Sequence, residues 1–231
     1  MKYENIVEAT FIKRPNRFIS HCLVDGKLVV AHVKNTGRCR ELLIEGVTVY
    51  LAYAPSPTRK TDYSLIAVRK GERLINMDSQ APNQIAHAGL KSGAIKLPGL
   101  VGEALLIKRE FQYGNSRFDL YIETPQEKVL IEVKGVTLEV DGVAMFPDAP
   151  TVRGEKHVRE LIRARRAGYL TYVIFIIQMA DVLYFTPNRE RDPKLAESLK
   201  KASEAGVEIL AYACDVKPDE IWANEVVLVE L

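Results

Sequence analysis

The sequence predicts two successive units. The first is a small all-β barrel over residues 1–80, and the second, over 81–231, is a mixed α+β or α/β domain whose sheet is flanked by helices. Three observations lead there. Short β-rich runs separated by turn residues fill the front of the chain. Helical periodicity alternates with strands behind it. Tyr172–Ile177 is a continuous apolar run, the mark of a strand buried on both faces.

In the first unit, Ile6–Ile12, Phe18–Val24, Lys27–Val33, Val47–Ala52, Ser64–Arg69 and Leu74–Met77 read as strands. Turns are expected at Arg14-Pro15-Asn16, Asp25-Gly26, Asn35-Thr36-Gly37, Pro55-Ser56-Pro57 and Lys70-Gly71. Asp25-Gly26 between apolar runs is a hairpin signal, because its turn needs positive φ at both residues. Strands this short and this evenly spaced suggest an OB-like barrel. Arg38–Leu43 is expected to form one helical turn inside it. Arg14, Arg17, Lys34, Arg38 and Arg40, with Tyr50, Tyr53 and Tyr63 nearby, would give a basic groove with rings on which bases can stack. An ordinary solvated barrel rim is the plainer alternative. Gly37 permits a close backbone approach, and Asn35 and Thr36 could bond a phosphate or a base, or instead cap their own turn.

In the second unit, Gln84–Ile95 is expected to be a helix and Leu105–Tyr113 a strand, which Gly114-Asn115 turns into Ser116–Glu123. Thr124-Pro125-Gln126-Glu127 then turns into Val129–Lys134. Val143–Phe146 follows as a strand. Residues 151–168 are expected to form an amphipathic helix with Thr151 as its cap and Val158, Leu161, Ile162, Ala164 and Arg165 facing inward. Lys156, Arg159, Arg163 and Arg166 fall on one stripe of it, with Arg153 and His157 beside them, a pattern suited to a phosphate backbone or to plain solvent. Val182–Phe185, a helix over Pro193–Ala205, a strand over Val207–Ala213 and a last strand over Glu225–Leu231 complete the chain. The β-α-β order implies a parallel crossover.

The chemistry is concentrated in Ser116–Leu138. Side chains at i and i+2 of a strand share a face, so Glu132 and Lys134 project together. Antiparallel pairing brings Asp119 to the same edge. Two carboxylates suit Mg²⁺ or Mn²⁺, hard cations that also take water and phosphate oxygens. Lys134 could orient a water or stabilise charge on a phosphate. Glu110 and Asp148 are candidates to complete the metal shell. The bland alternatives are an exposed Glu132–Lys134 pair, an ion pair from Glu110 to Arg109 or Lys108, and a helix-start role for Asp148.

The D…ExK strand pair resembles the core of PD-(D/E)XK nucleases. More narrowly, NTGRCREL at 35–42, SRFD at 116–119, IEVKGVTL at 131–138, FPDA at 146–149 and RGEKHVREL at 153–161 resemble the sugar fermentation stimulation protein A family. The resemblance spans almost the whole chain. It implies an OB-fold over 1–80 joined to a nuclease-like domain over 81–231, and a DNA-binding or regulatory role. Such nucleases often draw a further acid from the preceding helix, yet Gln84–Ile95 holds no Asp or Glu.

Composition narrows the options. With 47% hydrophobic residues the chain can bury a core. No apolar run is long enough to span a membrane, the first residues lack signal-peptide character, and no membrane partner is expected. Cys22, Cys39 and Cys214 are scattered without metal spacing, so reduced thiols and a cytoplasmic setting are expected. Residues 1–80 hold 13 Lys and Arg against 8 Asp and Glu, and the remainder 19 against 22. A basic front and an acidic back fit a binding module joined to a metal site. The reading is a DNA-binding protein, largely indifferent to sequence, with a nuclease-like site. Its alternatives are an active Mg²⁺-dependent DNA phosphodiesterase, and a metabolite-sensing regulator of sugar (maltose) metabolism, for which no residues read as a sugar pocket. Homo-oligomerisation is left open.

Overall fold

The computed structural model describes residues 1–35 and 37–231. The first unit contains β1 (Ile6–Asn16), β2 (Ile19–Val24), β3 (Lys27–Val33), β4 (Thr48–Tyr53), β5 (Tyr63–Lys70) and β6 (Arg73–Asn76). The pairing order is β3-β2-β1-β4-β5-β6, and β3 also pairs with β5. The first five strands therefore close into the expected OB barrel. Asp25 and Gly26 both take positive φ (48° and 74°), so β2 folds back on β3 in the tight hairpin their types allow. Alternate side chains fill the barrel, among them Ala9, Phe11, Cys22, Ala31, Val49, Leu51 and Leu65.

One local expectation fails. Arg14-Pro15-Asn16 makes no turn: β1 continues to Asn16, and its pairing with β2 shifts register after Phe11 and again after Lys13. Proline can stay in this strand because an irregular ladder does not need its missing N–H. Arg38–Leu43 makes the expected single turn and goes no further. Leu42 and Leu43 N–H both donate to the Cys39 carbonyl (3.2 and 2.9 Å), and this turn drives Cys39, Leu42 and Leu43 into the barrel core.

The second unit begins with α1 (Ala81–Ser92), three residues earlier than expected, with Pro82 in its first turn and left-handed Gly93 stopping it. The strands β7 (Leu106–Tyr113), β8 (Ser116–Glu123) and β9 (Lys128–Val136) form the predicted meander. Next come β10 (Leu138–Val140), β11 (Val143–Phe146), α2 (Val152–Arg166), β12 (Leu170–Ile177), β13 (Tyr184–Pro187), α3 (Pro193–Glu204), β14 (Glu208–Lys217) and β15 (Glu220–Val227). The main sheet runs β15-β14-β12-β9-β8-β7, with β9, β12 and β14 parallel. The last strand lies earlier than expected and is antiparallel to β14. A small sheet of β10, β11 and β13, not foreseen, stands beside it.

The strand β12 divides the core. Tyr172, Ile174 and Ile176 pack on the α1 side, while Val173, Phe175 and Ile177 pack with Leu161 of α2 and Leu195 of α3. That second layer is continuous with the barrel core, so the two units share apolar contacts. Buried polar groups fix the seam. Gln178 Nε2 donates to the Asn76 carbonyl (3.1 Å) and side-chain oxygen (2.9 Å) and to the Asp78 carbonyl (3.1 Å). Glu139, buried in β10, accepts from Lys70 (2.7 Å), Arg73 (2.8 Å) and the Gly142 N–H. Among the described residues no helix is long and apolar enough to cross a membrane.

Candidate functional site

Leu120 pairs with Ile131, so the β8–β9 register sets Asp119 opposite Glu132 at the next step. There the ladder gives way to the side chain: Val133 N–H donates to Asp119 Oδ2 (2.8 Å). Lys134 shares the face of Glu132, as expected, and its Nζ lies 2.5 Å from Glu132 Oε1. The same oxygen receives His157 Nδ1 at 2.5 Å, delivered by α2. Asn83 in the first turn of α1 donates to Asp119 Oδ1 (2.8 Å). Gly135 makes that approach of α1 to the sheet feasible, because a Cβ there would stand 2.6 Å from Pro82 Cγ.

Glu132 is only 2% exposed, and its Oε2 is buried without a partner. A buried carboxylate oxygen left bare costs desolvation energy, so it needs a reason. Burial and the neighbouring Glu132 charge push the Asp119 carboxyl above its ordinary range. Burial pushes Glu132 the same way, but His157 and Lys134 win and hold it below its ordinary range. Two facing carboxylates, one with an oxygen open, form a hard-oxygen donor set that a divalent cation would satisfy. Among the described residues no three His, Cys, Asp or Glu side chains gather at metal-holding distance. Asp119 and Glu132 would be the protein's share of such a shell, a number usual for Mg²⁺, which keeps several waters.

The two further ligands expected do not join them. Glu110 pairs with Arg117 (2.8 Å) on the open side of the sheet, where a break in the β7–β8 ladder gives it positive φ (56°). Asp148 packs against Gly37 and Asn35 of the barrel loop instead, so close that Gly37 has no room for a Cβ. His157 is also placed differently from its neighbours. It is buried on Glu132 rather than aligned with the exposed basic stripe.

That stripe does form. Arg153, Lys156, Arg159, Arg163 and Arg166 are all exposed on α2. Arg159 faces Glu155 (3.6 Å), Arg163 faces Glu160 (2.5 Å), and Lys156 donates to the Asn115 carbonyl (3.0 Å). In the barrel, Arg14 is not a free cation. Its guanidinium donates to the carbonyls of Arg17, Asn35, Gly37 and Arg38 at 2.7–2.8 Å. Lys34 is paired with buried Asp78 (2.8 Å). Asn35 caps its own turn by accepting from Gly37 N–H (2.8 Å). Thr36 lies outside the described residues. Arg17, Arg38 and Arg40 line a cleft beside the loop. Tyr50 is buried against Glu8 and Arg69, while Tyr53 and Tyr63 pack together, ring centroids 5.1 Å apart, at another face. Sequence reasoning does not find Asn83, because a neutral amide carries no metal-ligand signature. Its amide in a Pro-started first turn is the signal that could have found it.

Two family models match the chain. The sugar fermentation stimulation protein RE domain covers residues 80–220, and the SfsA N-terminal OB domain covers 12–77. A sugar fermentation stimulation protein homolog of Desulfitobacterium hafniense (strain DSM 10664 / DCB-2) is 55% identical over 231 residues, 100% of this chain and 99% of the relative. Its counterpart in Clostridium beijerinckii is 52% identical over 221 residues, covering 96% of each chain. Among solved structures, Pyrococcus furiosus SfsA in complex with Ca²⁺ is similar with a TM-score of 0.87 and 32% identity, over 100% of this chain and 98% of that one.

Proposed function

The chain belongs to the sugar fermentation stimulation protein family, and from that premise we propose that it binds DNA along its backbone and holds a divalent metal at Asp119 and Glu132 in a nuclease-like site. The observation that carries this reading is the bare, buried Oε2 of Glu132, a residue that the strand register sets opposite Asp119. The relative from Pyrococcus furiosus was solved with Ca²⁺, another hard oxygen-seeking ion, which supports a cation here. Mg²⁺ or Mn²⁺, when bound, would supply charge neutralisation to a phosphate. Lys134 sits where it can donate to a phosphate oxygen or orient water, and Asn83 and His157 hold the two carboxylates in place. The exposed cations of α2 fit salt-dependent binding largely indifferent to sequence. A cytoplasmic location belongs to the same reading and is supported by three buried free thiols.

The convergence of Asp119, Glu132 and Lys134 favours a second step of the reading, that the site cleaves phosphodiesters. The test is incubation of labelled single-stranded, duplex and branched DNA with Mg²⁺ or Mn²⁺, beside Glu132→Ala and Lys134→Ala, with binding read at two salt concentrations. Metal-dependent products absent from both variants would make the protein a nuclease. Salt-sensitive binding without products would leave a DNA-binding protein on a nuclease-like scaffold. Absence of both would overturn the nucleic-acid reading in favour of a regulator of sugar metabolism.

A further inference from the structure

Arg14 suggests what the barrel loop is for. By gathering the carbonyls of Asn35, Gly37 and Arg38, together with that of Arg17, onto one guanidinium, it engages their negative ends beside the cleft that Arg14 and Gly37 also line. Among the described residues no carboxylate lies within ion-pair distance of that guanidinium, and Asp148, packed on Gly37, is the acid at this loop. Cys39 takes the left-handed conformation (φ 45°), uncommon for a residue with a Cβ. Its thiol lies in the core, while Arg38 and Arg40 on either side both line the cleft. A strained backbone of this kind points to a job for the residues it places.

The cleft has a volume of about 620 Å³, within the range of about 300–1,000 Å³ typical of small-molecule sites. Phe11, Ile12 and Leu43 contribute apolar lining. Lys13, Arg17, Arg38 and Arg40 supply cations, and among the described residues none of the four lies within ion-pair distance of a carboxylate. Glu45 is the only acid in the lining among the described residues, and Ala149 brings the second unit to the rim. Apolar surface beside unpaired guanidinium groups suits a ligand with a flat ring at one end and a phosphate at the other.

We propose that this cleft, separate from the Asp119–Glu132 site, binds a nucleoside phosphate, either free or as the phosphorylated terminal nucleotide of a strand. Only the strand-end source rests on the nucleic-acid reading. The probes are a fluorescently labelled dTMP, competed by unlabelled dTMP, and separately a labelled oligothymidylate of about twelve nucleotides, unphosphorylated or phosphorylated at its 5′ or 3′ end. Anisotropy is read in EDTA, so that a failure of the metal-site reading cannot touch the result.

Saturable displacement by dTMP is expected, with inorganic phosphate much weaker. Arg38→Ala combined with Arg40→Ala should weaken it about tenfold or more. Both side chains are exposed, so the fold should survive, and unchanged thermal unfolding checks this. Lys194→Ala with Lys200→Ala on α3 removes the same charge elsewhere and should change nothing. Tighter binding of a strand phosphorylated at one end assigns the cleft to strand ends. Competition by dTMP with indifference to end phosphates assigns it to free nucleotides. If neither dTMP nor an end phosphate matters, if inorganic phosphate competes as well as dTMP, or if the double variant binds like the parent, the proposal is overturned.

Discussion

Glu132 and Glu139 are seven positions apart, both are buried, and their surroundings are opposite. Glu139 has both oxygens engaged: Lys70 and Arg73 hold Oε2, and the Gly142 N–H holds Oε1. Burial raises its pKa, but these donors outweigh burial and bring it down to about 2. Glu132 takes Lys134 and His157 on the same oxygen and leaves the other bare. Glu139, with both oxygens held, closes the seam between barrel and sheet. Glu132, in register with a second carboxylate, keeps one oxygen with nothing to accept. Asp119 lies between the two cases: Asn83 and Val133 each take one lone pair of its two oxygens and leave the other pairs free. Buried charge alone does not separate the two glutamates; the bare oxygen does.

The sharpest way to break that contrast is to exchange the two losses. Glu132→Gln should weaken Mn²⁺ binding by about two orders of magnitude, measured by titration calorimetry, since it removes a ligand charge that waters replace poorly. Thermal stability should fall only modestly, because the Gln oxygen can still accept from Lys134 and His157 and Oε2 had no bond to lose, although the charge those two groups stabilise is gone. Glu139→Ala should do the reverse. Metal binding stays as it was, and stability falls by about 2–3 kcal/mol in urea unfolding, moderated because Lys70 and Arg73 are partly exposed and can turn to water. A metal defect in Glu139→Ala, or a large stability defect in Glu132→Gln, would dissolve the distinction.

The pH dependence sharpens the Glu139 half. Its folded pKa lies below the ordinary value of 4.5, so its contribution is fully present above that value and is lost as pH falls toward about 2. Urea midpoints of the parent and of Glu139→Gln should therefore differ steadily above pH 4.5 and converge at lower pH. A constant gap throughout would mean that the seam does not depend on the charge of Glu139.

How much of this was readable beforehand follows from the range of each interaction. Glu132 and Lys134 are two residues apart on one strand, and period-2 geometry puts them on one face in any sheet. The Asp25-Gly26 hairpin and the doubly buried β12 are equally local. Nothing near Glu139 in the sequence marks it as a seam residue, because its partners lie 66 and 69 residues away. Arg14 looked like a phosphate contact because nothing local says that carbonyls up to 24 residues away will surround it. The helix period of α2 separates its exposed stripe from the rest, but it cannot say that the buried face will press His157 onto a carboxylate of β9. Glu110 and Asp148 failed for a similar reason: sequence proximity to a motif does not fix the direction of a side chain at a ladder break or a loop.

A smaller effect tests how Glu132 is oriented. Because His157 and Lys134 share Oε1, removing one leaves the other to hold the carboxylate, so His157→Ala should weaken Mn²⁺ binding about tenfold. His157→Gln, able to donate from a similar reach, should recover part of it. Equal losses in both variants would show that the ring is needed for packing against Phe118 rather than for aiming the oxygen.

The smallest expected effect concerns Asn83, which stands where a third acid would be sought. Its amide donates to Asp119 Oδ1, so it supports that carboxylate without adding charge. Asn83→Asp replaces the donor with a like charge beside two carboxylates that already repel each other. Without metal, the variant should lose about 1 kcal/mol of stability. With saturating Mn²⁺ it should regain that loss or more, because a cation bound only by the folded state stabilises it by mass action, and a third carboxylate strengthens the binding. The pair of unfolding curves therefore carries a sign. Recovery by Mn²⁺ marks the space between Asp119 and Glu132 as a cation site. A loss that Mn²⁺ leaves untouched would place Asp119 with Glu139, as a buried acid whose bonds are already complete.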